Sequence, residues 1–360
     1  MKGIILKIKG LINTICWNKV SNHPSLKYYF QRSEKPFESD IPTFENEQLN
    51  SSFLDDNRKW FHNEFIIDIN EPSVVEPTYG NVIIGQNKIL KESIYFPKLV
   101  PSFTRFLLNK ISKKRVVMEN AILFDVFVGE NYFHFFSDII NKIWLLENYA
   151  LTENRPLIIG ESIYSLEYFQ FFLNNKLLKE KNWYVLRRNE YLKVNRLTIC
   201  RAMPYDLKYW KRTISLFELQ KNKKRRIFLN RSPQSGRNIV NVKEIEPILL
   251  KYNFEIIDTL ETSIEYQKNL FSETEFIIAI HGAGETNSMF SCNNNLRLLE
   301  IIPSNRIACH YYWLSLMFNF RYDCIVGGEL IKNRLYNQAC FNLNPDILES
   351  AINKMNTYNS

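Results

Sequence analysis

Phe276-Ile277-Ile278-Ala279-Ile280-His281-Gly282-Ala283-Gly284-Glu285-Thr286-Asn287 runs without a break from five apolar residues into a loop of small ones. A short apolar run stopped by glycines predicts a strand buried on both faces, the habit of parallel sheets. In open α/β sheets, ligands bind beyond the carboxyl ends of the strands. Gly282, Ala283 and Gly284 keep side chains small, so backbone can come close to a ligand. The residues after them can open a helix, whose free N–H groups and positive end suit a phosphate. The same loop also fits a plain turn holding a core histidine. It falls short of the full G-x-G-x-x-G fingerprint, because position 287 is Asn.

The same rhythm extends outward. Residues 226–230, 254–258, 296–301 and 320–326 predict strands, and 242–252, 264–272, 308–318 and 345–356 predict helices. Upstream, 121–128, 157–160, 183–186 and 196–201 predict strands, with helices over 133–149 and 165–178 and a charged helix over 206–224. Strands alternating with helices imply parallel sheets with crossovers. Residues 63–96 read instead as short strands punctuated by turns, and 20–60 as a polar, irregular tether. The expected fold class is α/β, with two Rossmann-like domains. Residues 1–60 form an amphipathic helix and tether, 61–205 the first α/β domain, 206–345 the second, and 346–360 a closing helix.

Three further features sit where such sheets place chemistry. Arg231-Ser232-Pro233-Gln234-Ser235-Gly236-Arg237-Asn238 follows a predicted strand. Two arginines on one such loop can hold a diphosphate through charge-assisted, bidentate bonds; a solvated basic turn is the plain alternative. Asn131-Tyr132-Phe133-His134-Phe135-Phe136-Ser137-Asp138 also follows a strand. His134 and Asp138, four apart, share a helix face, as a general base and its orienting carboxylate would; a core histidine among aromatics is the alternative. Glu300 ends a strand, where a carboxylate can accept two ribose hydroxyls; a surface acid would read the same way.

The 360 residues are 45% hydrophobic and 23% charged, which excludes a disordered chain and suits two cores. The net charge of +8 favours anionic partners. No long basic tract or nucleic-acid-binding signature stands out, so nucleic acid is not an expected partner. Cys16, Cys200, Cys292, Cys309, Cys324 and Cys340 show no C-x-x-C pair, which suits a reducing compartment rather than a zinc knuckle. No 18-residue apolar span is present. Ile4, Ile8, Leu11 and Ile15 recur at helical spacing beside Lys2, Lys9 and Lys19, so residues 1–19 read as a peripheral membrane contact or a helix packed on the protein itself. The chain lacks Asp-x-Asp, a Walker loop and H-E-x-x-H. Diphosphate charge is therefore expected to be met by arginines and helix termini, with no metal.

Three blocks, Tyr132 to Glu147 (YFHFFSDIINKIWLLE), Arg226 to Glu244 and Tyr266 to Pro303 with HGAGETNSMF followed by LLEIIP, resemble glycosyltransferase family 61. Their order and spacing together are specific, though each block alone is not. The resemblance implies a GT-B-like fold, two Rossmann-like domains facing a cleft, and an inverting enzyme with no essential metal. It places His134 and Asp138 on the acceptor side, and Arg231, Arg237, His281, Gly282 and Asn287 on the nucleotide-sugar side. Glu285 departs from the apolar residue usual after HGAG. The expected reaction moves a sugar from a nucleotide donor, UDP-linked, to a glycan or lipid-linked glycan, in surface or capsular polysaccharide synthesis in a bacterium. No cofactor beyond the donor is expected, and the expected location is the cytoplasmic face of a membrane. A pyruvyl transferase on a similar scaffold, or a non-catalytic capsule-assembly protein at the membrane, remains open at this stage.

Overall fold

The computed structural model of the chain describes residues 17–34, 47–59, 62–96, 99–151, 155–174, 176–220, 224–231, 233, 236–259, 262–291, 295–305, 307–331 and 339–357. They form two compact units: unit 1 lies within Met1–Ser33 and Asn63–Pro204, unit 2 within Glu34–His62 and Tyr205–Ser360. Most of the amphipathic segment expected over 1–19 lies outside the described residues.

Unit 1 is built on one mixed sheet. Its strands are β1 (Asn18–Val20), β2 (Leu26–Glu34), β3 (His62–Ile69), β4 (Ser73–Val75), β5 (Val82–Ile84), β6 (Lys88–Leu90), β7 (Lys114–Asp125), β8 (Leu157–Gly160), β9 (Trp183–Leu186) and β10 (Glu190–Arg201). One half, β10-β7-β8-β9, is parallel. The other half is an antiparallel meander of β4, β5 and β6 attached to β10, which also pairs β3. This division follows the sequence, where turn-rich short strands give way to longer apolar runs near 116. The tether expected over 20–60 contains instead the strand β2 and the helix Glu47–Lys59. Along β2 burial alternates, with Leu26, Tyr28 and Phe30 turned inward relative to Lys27, Tyr29 and Gln31. The period of 2 is present in the sequence, but phenols and amides disguise it.

Strand β7 stops at Asp125, earlier than the expected 128. The Asp125 carboxylate accepts the backbone N–H groups of Phe127, Val128 and Gly129 at 3.1, 3.2 and 2.8 Å. This local bonding competes with the strand ladder and turns the chain. Asn131 then caps the next helix, its Oδ1 accepting from Phe133 N at 3.0 Å and His134 N at 3.4 Å. That helix is α-helical over Tyr132–His134, π-helical over Phe135–Ile140 and α-helical again over Asn141–Asn148.

Unit 2 contains a five-stranded, all-parallel sheet: β11 (Arg225–Leu229), β12 (Glu255–Ile257), β13 (Thr274–Ile280), β14 (Arg297–Ile302) and β15 (Arg321–Val326). The order across the sheet is β12-β11-β13-β14-β15, so the winding reverses between β11 and β13. A short antiparallel pair, β16 (Leu330–Ile331) with β17 (Cys340–Phe341), is joined to the chain after β11 by the bridge between Ile239 and Phe341. One core joins Phe228, Ile278 and Leu299 of the sheet to Ile245 and Leu249 of helix Val242–Lys251 and to Leu348 and Ile352 of helix Pro345–Thr357. Each fully buried side chain of this kind contributes about 1.5–3 kcal/mol. The charged helix expected over 206–224 is shorter, Leu207–Ile214, started by Asp206, whose carboxylate accepts Lys208 N at 2.9 Å. The described residues thus form an α/β protein with one main sheet in each unit.

Candidate active site

In a sheet of order 2-1-3-4-5, the crevice for a ligand opens where the winding reverses. Here that point lies between β11 and β13, the two strands that precede the loops singled out from sequence. The structure brings these loops together. Arg231, just past β11, donates from Nε to the Gly236 carbonyl at 3.0 Å. Arg237 donates from Nη1 to the His281 carbonyl at 2.9 Å, bridging the loops. Both arginines are half-buried, so each retains solvent-facing surface. Arg237 itself sits at φ 58°, a left-handed conformation that costs a non-glycine residue energy and clusters at functional sites. At Gly282, a Cβ would stand 2.1 Å from Arg231 Nη1. The missing side chain is what lets the guanidinium lie against this turn.

Beyond Gly282 the chain enters a nine-residue 3-10 helix, Ala283–Ser291. Ala283 and Gly284 are partly exposed at its start, so the free N–H groups of the first turn lie near the surface. Asn287 is fully buried and donates from Nδ2 to Gln267 Oε1 at 2.6 Å. It fastens this helix to helix Ile264–Ser272, an inward role that its place in the motif did not reveal.

Behind the loops lies a buried polar cluster. His281 Nδ1 meets Glu300 Oε1 at 2.5 Å, and the Tyr322 hydroxyl donates to Glu300 Oε2 at 2.5 Å. Glu300 is wholly buried and has protein partners on both oxygens, so the ribose-accepting arrangement expected of it has no open oxygen here. Its geometry orients His281. Tyr322 had no signal in the sequence; it reaches Glu300 because β15 pairs with β14. Burial above all holds the Tyr322 and Tyr311 phenols neutral.

Glu285 is also fully buried. Its Oε1 accepts the Gly282 N–H at 2.8 Å, closing the turn, while Oε2 has no hydrogen-bond partner. Burial first, then the Glu300 charge, raises its carboxyl well above the usual range, against the pull of Arg231 and Arg237. A carboxyl raised in the fold stabilises the protein below its unfolded value of 4.5, and that stability drains away as pH climbs toward the folded value. Glu285→Gln keeps an oxygen for Gly282 and needs no proton. Its melting temperature relative to wild type is therefore expected to rise as pH climbs above 4.5. A difference that stays flat with pH would show that Glu285 is ionised in the fold.

His281, Glu285 and Glu300 bring one ligand atom each within 4.8 Å of one another, the closest approach to a metal-ligand set among the described residues. Most of their oxygens are already engaged, and Arg231 and Arg237 add positive charge beside them. The donor set as bonded favours a proton over a cation. A cavity of about 410 Å³ elsewhere in unit 2 is lined by Asp323, Val326, Ser350 and Lys354 among others. None of its lining residues comes from the two loops, so the candidate site rests on the switch point and its chemistry.

In unit 1 the other candidates also meet. His134 Nδ1 lies 3.0 Å from Asp138 Oδ2. Asp138 further accepts Ser137 Oγ–H at 2.7 Å and the Tyr95 hydroxyl at 2.9 Å. The His134 side chain is 24% exposed and that of Asp138 3%, so the carboxylate is the fixed partner and the imidazole the reachable one. Burial would raise the Asp138 carboxyl, but hydrogen bonds from His134 and Ser137 and the charges of His134 and Lys142 hold it at about 2. With Nδ1 donating to a carboxylate, Nε2 is the nitrogen that can take a proton. The π-helical segment that holds Asp138 is a form frequent at functional sites. Gly129 makes room beneath it: a Cβ there would stand 2.6 Å from Ile139 Cγ1. Tyr95, 43 residues upstream, had no local signal of a role. Tyr95, Asp125, Lys142 and Arg201 are the charged and phenolic part of the lining of a cavity of about 50 Å³, room for a water or two.

No curated protein matches the chain. Residues 132–299 match the family model described as Glycosyltransferase 61. The match starts at the helix of His134 and Asp138, takes in both loops at the switch point, and ends one residue short of Glu300. Of the readings the sequence left open, the match favours the glycosyltransferase over the pyruvyl transferase and the non-catalytic scaffold, and residues 132–299 form a glycosyltransferase family 61 domain.

Proposed function

We propose that the protein is an inverting glycosyltransferase that moves a sugar from a UDP-linked donor to a hydroxyl of a glycan or lipid-linked glycan, without a metal. The observation behind this reading is the pair of arginines at the switch point of unit 2, tied to the glycine turn of the His281 loop. Such a pair neutralises a diphosphate through forked, charge-assisted donors. In the proposed reaction the acceptor oxygen attacks the anomeric carbon and its proton passes to His134 Nε2. The bond from that carbon to the diphosphate oxygen breaks. Arg231, Arg237 and the N–H groups at the start of helix Ala283–Ser291 receive the charge that develops on the leaving diphosphate. His281, held by Glu300, supports the loop from behind.

The finer architecture we assign to this reaction is the GT-B type, with the acceptor on the face of unit 1 and the donor on that of unit 2. The presence of a separate sheet in each unit supports it. Among the described residues no helix is long and apolar enough to cross a membrane. We place the enzyme peripherally at the cytoplasmic face, in surface or capsular polysaccharide synthesis in a bacterium, with the basic, amphipathic sequence of residues 1–19 as one contact.

The test is hydrolysis of UDP-, GDP- and CMP-sugars, each with and without EDTA. UDP-sugar turnover indifferent to EDTA is the expected result. Turnover that EDTA abolishes and a divalent ion restores would overturn the metal-free mechanism and direct attention to His281, Glu285 and Glu300. Preference for a GDP- or CMP-sugar would overturn the donor assignment alone.

A further inference from the structure

Helix Phe103–Ser112 in unit 1 has its inner side accounted for. Phe106 is buried against Trp17, whose indole also meets Phe103 edge-on and donates to the Pro101 carbonyl at 2.7 Å. Its outer side is unusual. Leu107, Leu108 and Ile111 are 42%, 65% and 81% exposed. At about 100° per residue, Leu107, Ile111 and Leu108 share one arc of roughly 100°, and Arg105 and Lys110 border it on either side. A water-facing helix normally reverses this pattern, with polar residues outward.

The sheet beneath extends the patch. Tyr191 of β10 packs against Phe106, so the face of β10 that bears Tyr191 and Lys193 is the one the helix covers. Register pairs these two residues with Arg115 and Val117 of β7, which therefore share that face. Val117 is 65% exposed. Lys113, at the end of the helix, bonds the Arg188 carbonyl and thereby draws the Arg187-Arg188 turn alongside. Burial first lowers the Lys113 pKa, with the Glu76 charge opposing it and the nearby Arg105 adding a smaller push.

Exposed aliphatic side chains flanked by cations on both sides fit one partner chemistry: an anionic bilayer surface, which takes the apolar arc into the acyl boundary and the cations among its headgroups. An acidic protein or polymer would satisfy the cations but leave the apolar arc in water. We infer that helix Phe103–Ser112 with the adjoining ends of β7 and β10 is a membrane-docking surface for anionic lipid. It is separate from residues 1–19 and independent of the donor and acceptor assignments.

The test uses the full chain and sedimentation with vesicles of phosphatidylcholine alone or with phosphatidylglycerol. Wild type is expected to sediment with the anionic vesicles only. The double variant Leu108→Ser with Ile111→Ser should weaken that binding by at least about tenfold, and Lys110→Glu should weaken it further at low salt than at high salt. Both variants should hydrolyse soluble donor at the wild-type rate, which shows that they are folded. Undiminished binding by the double variant would overturn the proposal and leave residues 1–19 as the contact. Equal binding to neutral vesicles would overturn the role of charge. Binding of polyglutamate as tight as that of vesicles, and insensitive to the double variant, would replace the bilayer with an acidic polymer.

Discussion

Replacing His134 by alanine is expected to reduce sugar transfer by about 10²–10⁴-fold, the usual worth of a general base, while leaving donor affinity within about twofold. The separation follows from place: His134 belongs to unit 1, and the arginines and glycine turn proposed to hold the donor belong to unit 2. The variant should fold, because the imidazole is partly exposed and its removal leaves Asp138 with two donors, Ser137 and Tyr95. Asp138→Asn is a different experiment. It turns an amide NH₂ toward groups that themselves donate, inside a buried site, and is expected to cost stability as well as turnover. The acid limb of stability separates the two effects. A carboxyl held at about 2, below its ordinary 3.8, adds stability that is complete above 3.8 and lost as pH falls through 2. The Ala variant, lacking the strongest group that lowers this carboxyl, should lose stability at higher pH on the acid side than wild type does. Near-normal turnover in His134→Ala would remove the histidine from the chemistry. A variant that fails to fold would make it a structural residue, and Tyr95→Phe, which deletes one hydrogen bond to Asp138, would then test the dyad by its effect on the pH profile of kcat.

The second unit was legible because its strands are buried on both faces and therefore read as apolar runs. The segment 276–280 lies within the observed β13, and 226–230 overlaps β11, Arg225–Leu229. Helices 242–252 and 264–272 appear within a residue or so, since their apolar period meets the core. What resisted reading has physical causes. Strand β10 was expected only over 196–201 and begins at Glu190. Its first half alternates Tyr191, Lys193 and Asn195 with buried Leu192 and Val194, a pattern of one wet face that polar composition obscures. Side-chain partners from distant strands were not legible at all. Tyr95 reaches Asp138 and Tyr322 reaches Glu300 only through the tertiary fold, and nothing local distinguishes either from other buried tyrosines. Glu285 was visible as an oddity, but its cause, a carboxyl closing the turn at Gly282, needed coordinates. The sequence pointed to the candidate site through topology: small residues and arginines placed immediately after strands.

Arg231→Ala is expected to lower turnover by about 10²–10³-fold, the cost of losing one donor aimed at charge that develops only in the transition state. The loss should fall on kcat more than on KM, because the ground-state diphosphate keeps Arg237 and the helix start, whereas the departing one carries an added negative charge. Stability should change far less than turnover: the guanidinium is half-buried, and its bond to the Gly236 carbonyl is a contact within a loop. Gly282→Ala gives an independent route to the same group. A methyl there meets the end of the Arg231 side chain before any backbone, so a flexible side chain can move aside while the fold stands. If Arg231 acts from its observed position, displacing it should reduce kcat in the same direction as deleting it, though less, and the two changes together should cost little more than Arg231→Ala alone. Strictly additive losses would mean that Gly282 serves the backbone for its own reasons. Wild-type kcat in Arg231→Ala would shift the diphosphate to Arg237, which holds the His281 carbonyl and cannot be removed without loosening the loop it joins.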